Sequence, residues 1–99
     1  MSLLVHYTLK SANDHDAQVE AMKALVADLK TEGVTAATYS CFETDDPLRF
    51  VGILEFEDDA GKAAFTESAA FATYRDRVGP TFANPPETTD ITGIASTFG

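Results

Sequence analysis

An α+β domain of ferredoxin-like type, ordered β-α-β-β-α-β around one antiparallel sheet, is what this 99-residue sequence predicts. Two β-prone runs, 34–43 and 49–56, are joined by the short polar connection Thr44-Asp45-Asp46-Pro47-Leu48, which reads as a hairpin. A helical periodicity precedes this pair and another follows it. In the run RFVGILEF, Phe50, Leu54 and Phe56 fall on one side of a strand and Val51 and Ile53 on the other, so both faces need a cover. The helices of so short a chain cover one face. The other is expected to lie against a second copy, giving a homodimer through the helix-free sheet face, a dimeric α+β barrel.

The first strand is expected over Leu3–Leu9, rich in β-favouring residues and ended by Lys10-Ser11. Ser11 or Asn13 then caps a helix in which Val19, Met22, Val26 and Leu29 recur at spacings of three and four, with Leu25 beside them. Gly33 suits the position just past its end, where a left-handed backbone is commonly required. After the hairpin, Asp58 or Asp59 starts the second helix and Ser68 restarts it after a bend. Phe71, Tyr74 and Val78 continue its apolar stripe until Gly79-Pro80 stops it. Residues 81–86 form a loop stiffened by Pro85-Pro86, and 88–98 a final strand with a bulge at Gly93.

Composition narrows the function. One domain, residues 1–99, fits a chain of this length, which buries roughly two-thirds of its unfolded surface and has room for a single core. The net charge of −9, from 7 basic and 16 acidic residues, opposes binding to nucleic acid and to anionic membranes. Much of the acid lies at turns and helix starts, where carboxylates cap and solvate. Cys41 is a lone cysteine in strand-like surroundings and reads as a small buried apolar residue. With no basic segment followed by a long apolar run near Met1, neither a signal peptide nor a membrane span is expected, and the expected location is cytoplasmic.

No metal site is expected, because His6 and His15 are isolated from other metal-ligating residue types at suitable spacing, and no glycine-rich phosphate loop occurs. His15, in an acidic first turn, is expected at the solvated surface. His6 faces either a pocket or a structural hydrogen-bond partner. Glu55, at the end of an apolar strand, lies either at a solvated strand end or toward a helix-covered cavity, where burial would raise its pKa. The aromatic residues Tyr7, Tyr39, Phe65, Phe71, Tyr74 and Phe82 are expected in the core or around a cavity between helices and sheet. With His6 and Arg75 as polar groups, such a cavity suits a flat aromatic or quinone-like ligand.

The run RFVGILEFEDDAGKAAFTESAAFATYRDRV resembles the antibiotic biosynthesis monooxygenase family, in which a strand ending in Glu-x-aromatic leads through an acidic turn into an Ala-rich helix and a Ser-Pro-His-Phe motif. The corresponding residues are Glu55-Phe56-Glu57, Asp58-Asp59 and Ser68-Ala69-Ala70-Phe71. The resemblance implies a dimeric α+β barrel that oxidises a small aromatic or polyketide-like substrate with molecular oxygen and no cofactor. It departs from the family at two histidines: the helix histidine corresponds to Phe65 or Thr66, and that of Ser-Pro-His-Phe to Ala70. Haem-degrading relatives use a tryptophan, and this chain has none. His6, Glu55 and Tyr74 are then the candidate catalytic residues, and Tyr39, Phe65, Phe71, Arg75 and Phe82 the candidate substrate contacts. A non-catalytic ligand-binding or stress-associated barrel, or an isomerase or lyase using Glu55 or His6 as a base, shares the same fold.

Overall fold

The computed structural model describes residues 1–97. Four strands, β1 (Ser2–Thr8), β2 (Ala37–Glu43), β3 (Arg49–Phe56) and β4 (Glu87–Ile91), alternate with three helices, α1 (His15–Glu32), α2 (Asp59–Thr66) and α3 (Ala69–Val78). The sheet order is β2-β3-β1-β4, and each neighbouring pair is antiparallel. This is the ferredoxin-like arrangement.

Strand parity determines which side chains reach the helices. Leu3, Val5, Tyr7 and Leu9 on the first strand run, and Phe50, Leu54 and Phe56 on β3, are buried under α1, α2 and α3. Phe50 is 1% exposed, a burial that contributes about 2–3 kcal/mol relative to an exposed ring. On α1 the buried stripe is Gln18, Ala21, Met22, Leu25 and Leu29. It is turned slightly from the expected one: Leu25 is central, Ala21 joins it in the core, and Val19 and Val26 lie at its margins.

The helix ends follow their sequence signals. Ser11 caps a short 3-10 turn over Ala12–Asp14 that leads into α1, and Gly33 closes α1 at φ 82°, its amide donating to Leu29 and Lys30 carbonyls. The Asp58 carboxylate accepts from the Gly61 amide at 2.9 Å and begins α2. Ser68 makes the bend between α2 and α3: its hydroxyl donates to the Phe65 carbonyl at 2.7 Å and accepts from the Phe71 amide at 3.1 Å. Glu32, from the end of α1, accepts from the Ala69 and Ala70 amides at 3.2 and 2.9 Å, which ties the start of α3 to α1.

The last strand is shorter than expected. β4 ends at Ile91, which pairs with Ser2, the first residue of β1. Residues 92–97 follow without strand pairing, so Gly93 is no bulge; the expected strand end at Phe98 lies outside the described residues. The 79–86 segment is held more firmly than a free loop. A 3-10 turn over Gly79–Thr81 is followed by a bridge between Leu9 and Phe82, and the Ala83 amide donates to the Thr8 carbonyl at 2.8 Å.

On the helix-free face, the cross-strand rows are Ser40–Ile53–Leu4–Thr89 and Phe42–Val51–His6–Glu87. Leu4, Val51 and Ile53 remain part-exposed there, and Phe42 is 48% exposed.

Candidate functional site

The end of β1, the outer turn of α3 and the 79–86 segment enclose a cavity of about 430 Å³. Its aromatic wall is Tyr7, Phe71, Tyr74 and Phe82; Lys10 and Arg75 supply charge, and Asn84, Pro85 and Pro86 close the far side. Tyr7 projects from the helix-facing side of β1, and Tyr74 comes down from α3 to meet it edge to face, with ring centroids 6.2 Å apart. Phe82 lies 5.5 Å from Tyr7, placed by the bridge to Leu9. The Arg75 guanidinium sits over the Phe71 ring at 5.6 Å.

Behind this wall runs a chain of phenols. The Tyr7 and Tyr39 hydroxyls are 2.7 Å apart, and Tyr7 also interacts with the Tyr74 hydroxyl. Gln18 of α1 donates through Nε2 to the Tyr74 hydroxyl at 2.7 Å. Its Oε1 is buried without a hydrogen-bond partner among the described residues. Tyr39 and Phe65 therefore stand one layer back from the cavity, linked to it through tilted ring contacts: Tyr39–Phe65 at 5.0 Å and Phe65–Phe71 at 4.9 Å.

Burial sets the protonation of these groups. It pushes the Tyr7 phenol up to about 12 and raises Tyr39 and Tyr74 further, since a phenolate would lose its hydration and face its phenol neighbours. At neutral pH all three are neutral hydroxyls that donate and accept hydrogen bonds. Burial also pushes the Cys41 thiol up, which removes it as a thiolate nucleophile.

Of the candidate residues, Tyr74, Phe71, Arg75 and Phe82 meet in one cavity, with Tyr39 and Phe65 packed behind it. His6 and Glu55 do not join them. His6 is exposed on the helix-free face between Val51 and Glu87, and Glu55 shares the parity of Val51 and Ile53, so it too is exposed on that face. Of the two places open to Glu55, alternation selects the solvated strand end, and it keeps His6 out of the cavity between helices and sheet.

His15 lies at the surface, as expected, and is anchored there. It is not freely solvated: Nδ1 lies 2.8 Å from the Pro47 carbonyl, Nε2 lies 2.8 Å from Glu43 Oε1, and the ring packs 4.9 Å from Phe50. Among the described residues, no group of three His, Cys, Asp or Glu side chains could hold a metal ion. No helix among them is long and apolar enough to cross a membrane.

Sequence reasoning missed Lys10, Gln18 and Asn84. Gln18 left a signal, for it lies on the line 18-22-25-29 with Met22, Leu25 and Leu29, and a polar residue on a buried stripe must find a partner. Lys10 and Asn84 left none: Lys10 stands just past β1, and only the docking of the 79–86 segment there, with the Lys10 amide donating to the Thr81 carbonyl, brings Asn84 beside it.

Comparison with solved structures places the fold. A Nitrosomonas europaea protein provisionally named an antibiotic biosynthesis monooxygenase superposes with a TM-score of 0.81 at 24% identity, over 94% of this chain and 88% of that one. A structure named antibiotic biosynthesis monooxygenase matches with a TM-score of 0.78 at 18% identity, over 96% and 100% of the two chains. A protein from Mycobacterium tuberculosis gives 0.78 at 14% identity, over 97% and 96%. The chain thus has the fold of structures named antibiotic biosynthesis monooxygenases. No protein-family model and no curated protein matches it.

Proposed function

We propose that the chain is a monooxygenase-type enzyme acting, without a cofactor, on a small aromatic or polyketide-like molecule bound in the cavity between β1 and α3. One observation carries this reading: a cavity of about 430 Å³ walled by Tyr7, Phe71, Tyr74 and Phe82 and backed by buried neutral phenols. That volume and wall suit one planar ring system. The names of the fold relatives point the same way.

Such a reaction balances as one activated methylene and one O2 giving a carbonyl and one water. The methylene carbon is oxidised and O2 reduced, the substrate supplying all four electrons. The chain's part is to hold the substrate as its anion. No His, Asp or Glu lines the cavity, so the wall has no carboxylate or imidazole base, and the raised phenols do not serve as one. The proton leaves to solvent, and the aromatic wall holds the ring body of the enolate or phenolate left behind in a water-poor site.

The lack of a base equally favours a second reading, a ligand-binding barrel without catalysis. Oxygen uptake decides between them. Purified, metal-free protein consumes O2 with an anthrone-type or quinol substrate if the first reading holds; no uptake across such a panel contradicts it. The part-exposed strip Leu4, Phe42, Val51 and Ile53 supports a further element of the proposal, a homodimer through the helix-free sheet face.

A further inference from the structure

We infer that the ligand of this cavity is an aromatic anion, a flat apolar body whose carboxylate or phenolate group is held at the Lys10 and Arg75 side. The inference deepens the reading above and rests on the cavity being the ligand site. Its basis is charge distribution. Acidic residues outnumber basic ones 16 to 7 in the chain, yet the aromatic cavity carries Lys10 and Arg75 and no carboxylate. Four other clefts on the surface each include at least one Asp or Glu.

The two cations are also uncommitted. The ion pairs among the described residues join His15 to Glu43, Lys23 to Glu20 and Arg49 to Asp46; neither Lys10 nor Arg75 takes part. Arg75 lies over the Phe71 ring at 5.6 Å, a cation–π contact that leaves its N–H donors for an acceptor. In a chain of net charge −9, a rim of two unpaired cations beside an apolar wall is a local reversal of sign that selects the charge of what enters. The buried phenols are neutral and the charged groups lie at the solvent side. The ligand therefore enters ring first, with its anionic group outermost.

Calorimetric titration of the full chain at neutral pH with 2-naphthoate, 2-naphthamide and 2-naphthylmethylamine tests this. The three probes share one ring body and differ in charge. Naphthoate is expected to bind at least about tenfold more tightly than the amide, and the amine most weakly. Arg75→Gln and Lys10→Gln each lower the naphthoate-to-naphthamide ratio by roughly three- to tenfold, a loss of one charge-assisted contact. Lys23→Gln, which changes net charge equally from the exposed side of α1, leaves the ratio unchanged. Equal affinities for acid and amide, or a ratio untouched by the Arg75 and Lys10 substitutions, overturn the anion inference while the aromatic cavity stands. Binding of none of the three overturns the cavity reading as well.

Discussion

The Tyr7 hydroxyl meets the Tyr39 hydroxyl at 2.7 Å although their strands, β1 and β2, are not neighbours. β3 runs between them, and at the crossing point stands Gly52, paired with Val5 on one side and Cys41 on the other. The Tyr39 ring lies across Gly52: a Cβ there would be 2.9 Å from ring atoms Cε1 and Cζ. The absence of a side chain at one position thus lets a phenol from the far strand reach the cavity wall.

Gly52→Ala is therefore expected to displace Tyr39, break its bond to Tyr7 and destabilise the fold by about 1–3 kcal/mol through overpacking. Urea unfolding measures the loss. Wild-type stability in this variant would mean that Tyr39 does not occupy the space over β3.

The chain has three tyrosines, and all belong to this array. Their pKa values lie above the ordinary 10.0, with Tyr7 at about 12. Since the unfolded chain releases phenol protons near pH 10 and the folded one does not, stability is full below pH 10 and falls as pH rises toward 12 and beyond. Absorbance at the phenolate band is expected to stay flat through pH 10 and then rise together with unfolding. A tyrosine ionising near pH 10 in the folded protein would contradict the buried array.

His15 bridges the end of β2 and the hairpin connection through Glu43 and Pro47. With both ring nitrogens against acceptors, the Pro47 carbonyl first and Glu43 second, its pKa is raised above 6.5. Its contribution to stability is full below pH 6.5 and is lost as pH rises through the raised value. NMR titration of the His15 ring should give a midpoint above 6.5, and thermal unfolding should show a fall over the same range that His15→Gln abolishes. A midpoint below 6.5 would sink this assignment.

Leu4 and Ile53 sit side by side on the helix-free face, beside Val51 and Phe42. If a second copy covers them, sedimentation at micromolar concentration gives twice the chain mass, and Ile53→Lys returns it to one chain by placing a charge in the apolar strip. A wild-type monomer would remove the barrel from the account.

Periodicity and turn chemistry made the fold legible: the hairpin around Asp46-Pro47, Gly33 at the end of α1, and Ser68 between α2 and α3 each left a local signature. The site was legible in part. Both faces of β1 carry apolar residues, Leu3, Val5 and Tyr7 on one and Leu4 on the other, so alternation alone did not tell which side His6 shares with the helices. Arg75 was legible in the sequence, but the cavity's far wall is a product of tertiary docking, since residues 79–86 reach β1 through the Leu9–Phe82 bridge and the Ala83 amide. No short-range pattern encodes that contact.

The central claim is that function resides in the cavity between β1 and α3, and labelling the three tyrosine rings with carbon-13 tests it most directly. On addition of 2-naphthoate, the Tyr7 and Tyr74 ring signals should shift strongly, and that of Tyr39, one layer behind, less. Unmoved Tyr7 and Tyr74 signals under saturating probe would place the ligand elsewhere and contradict the account.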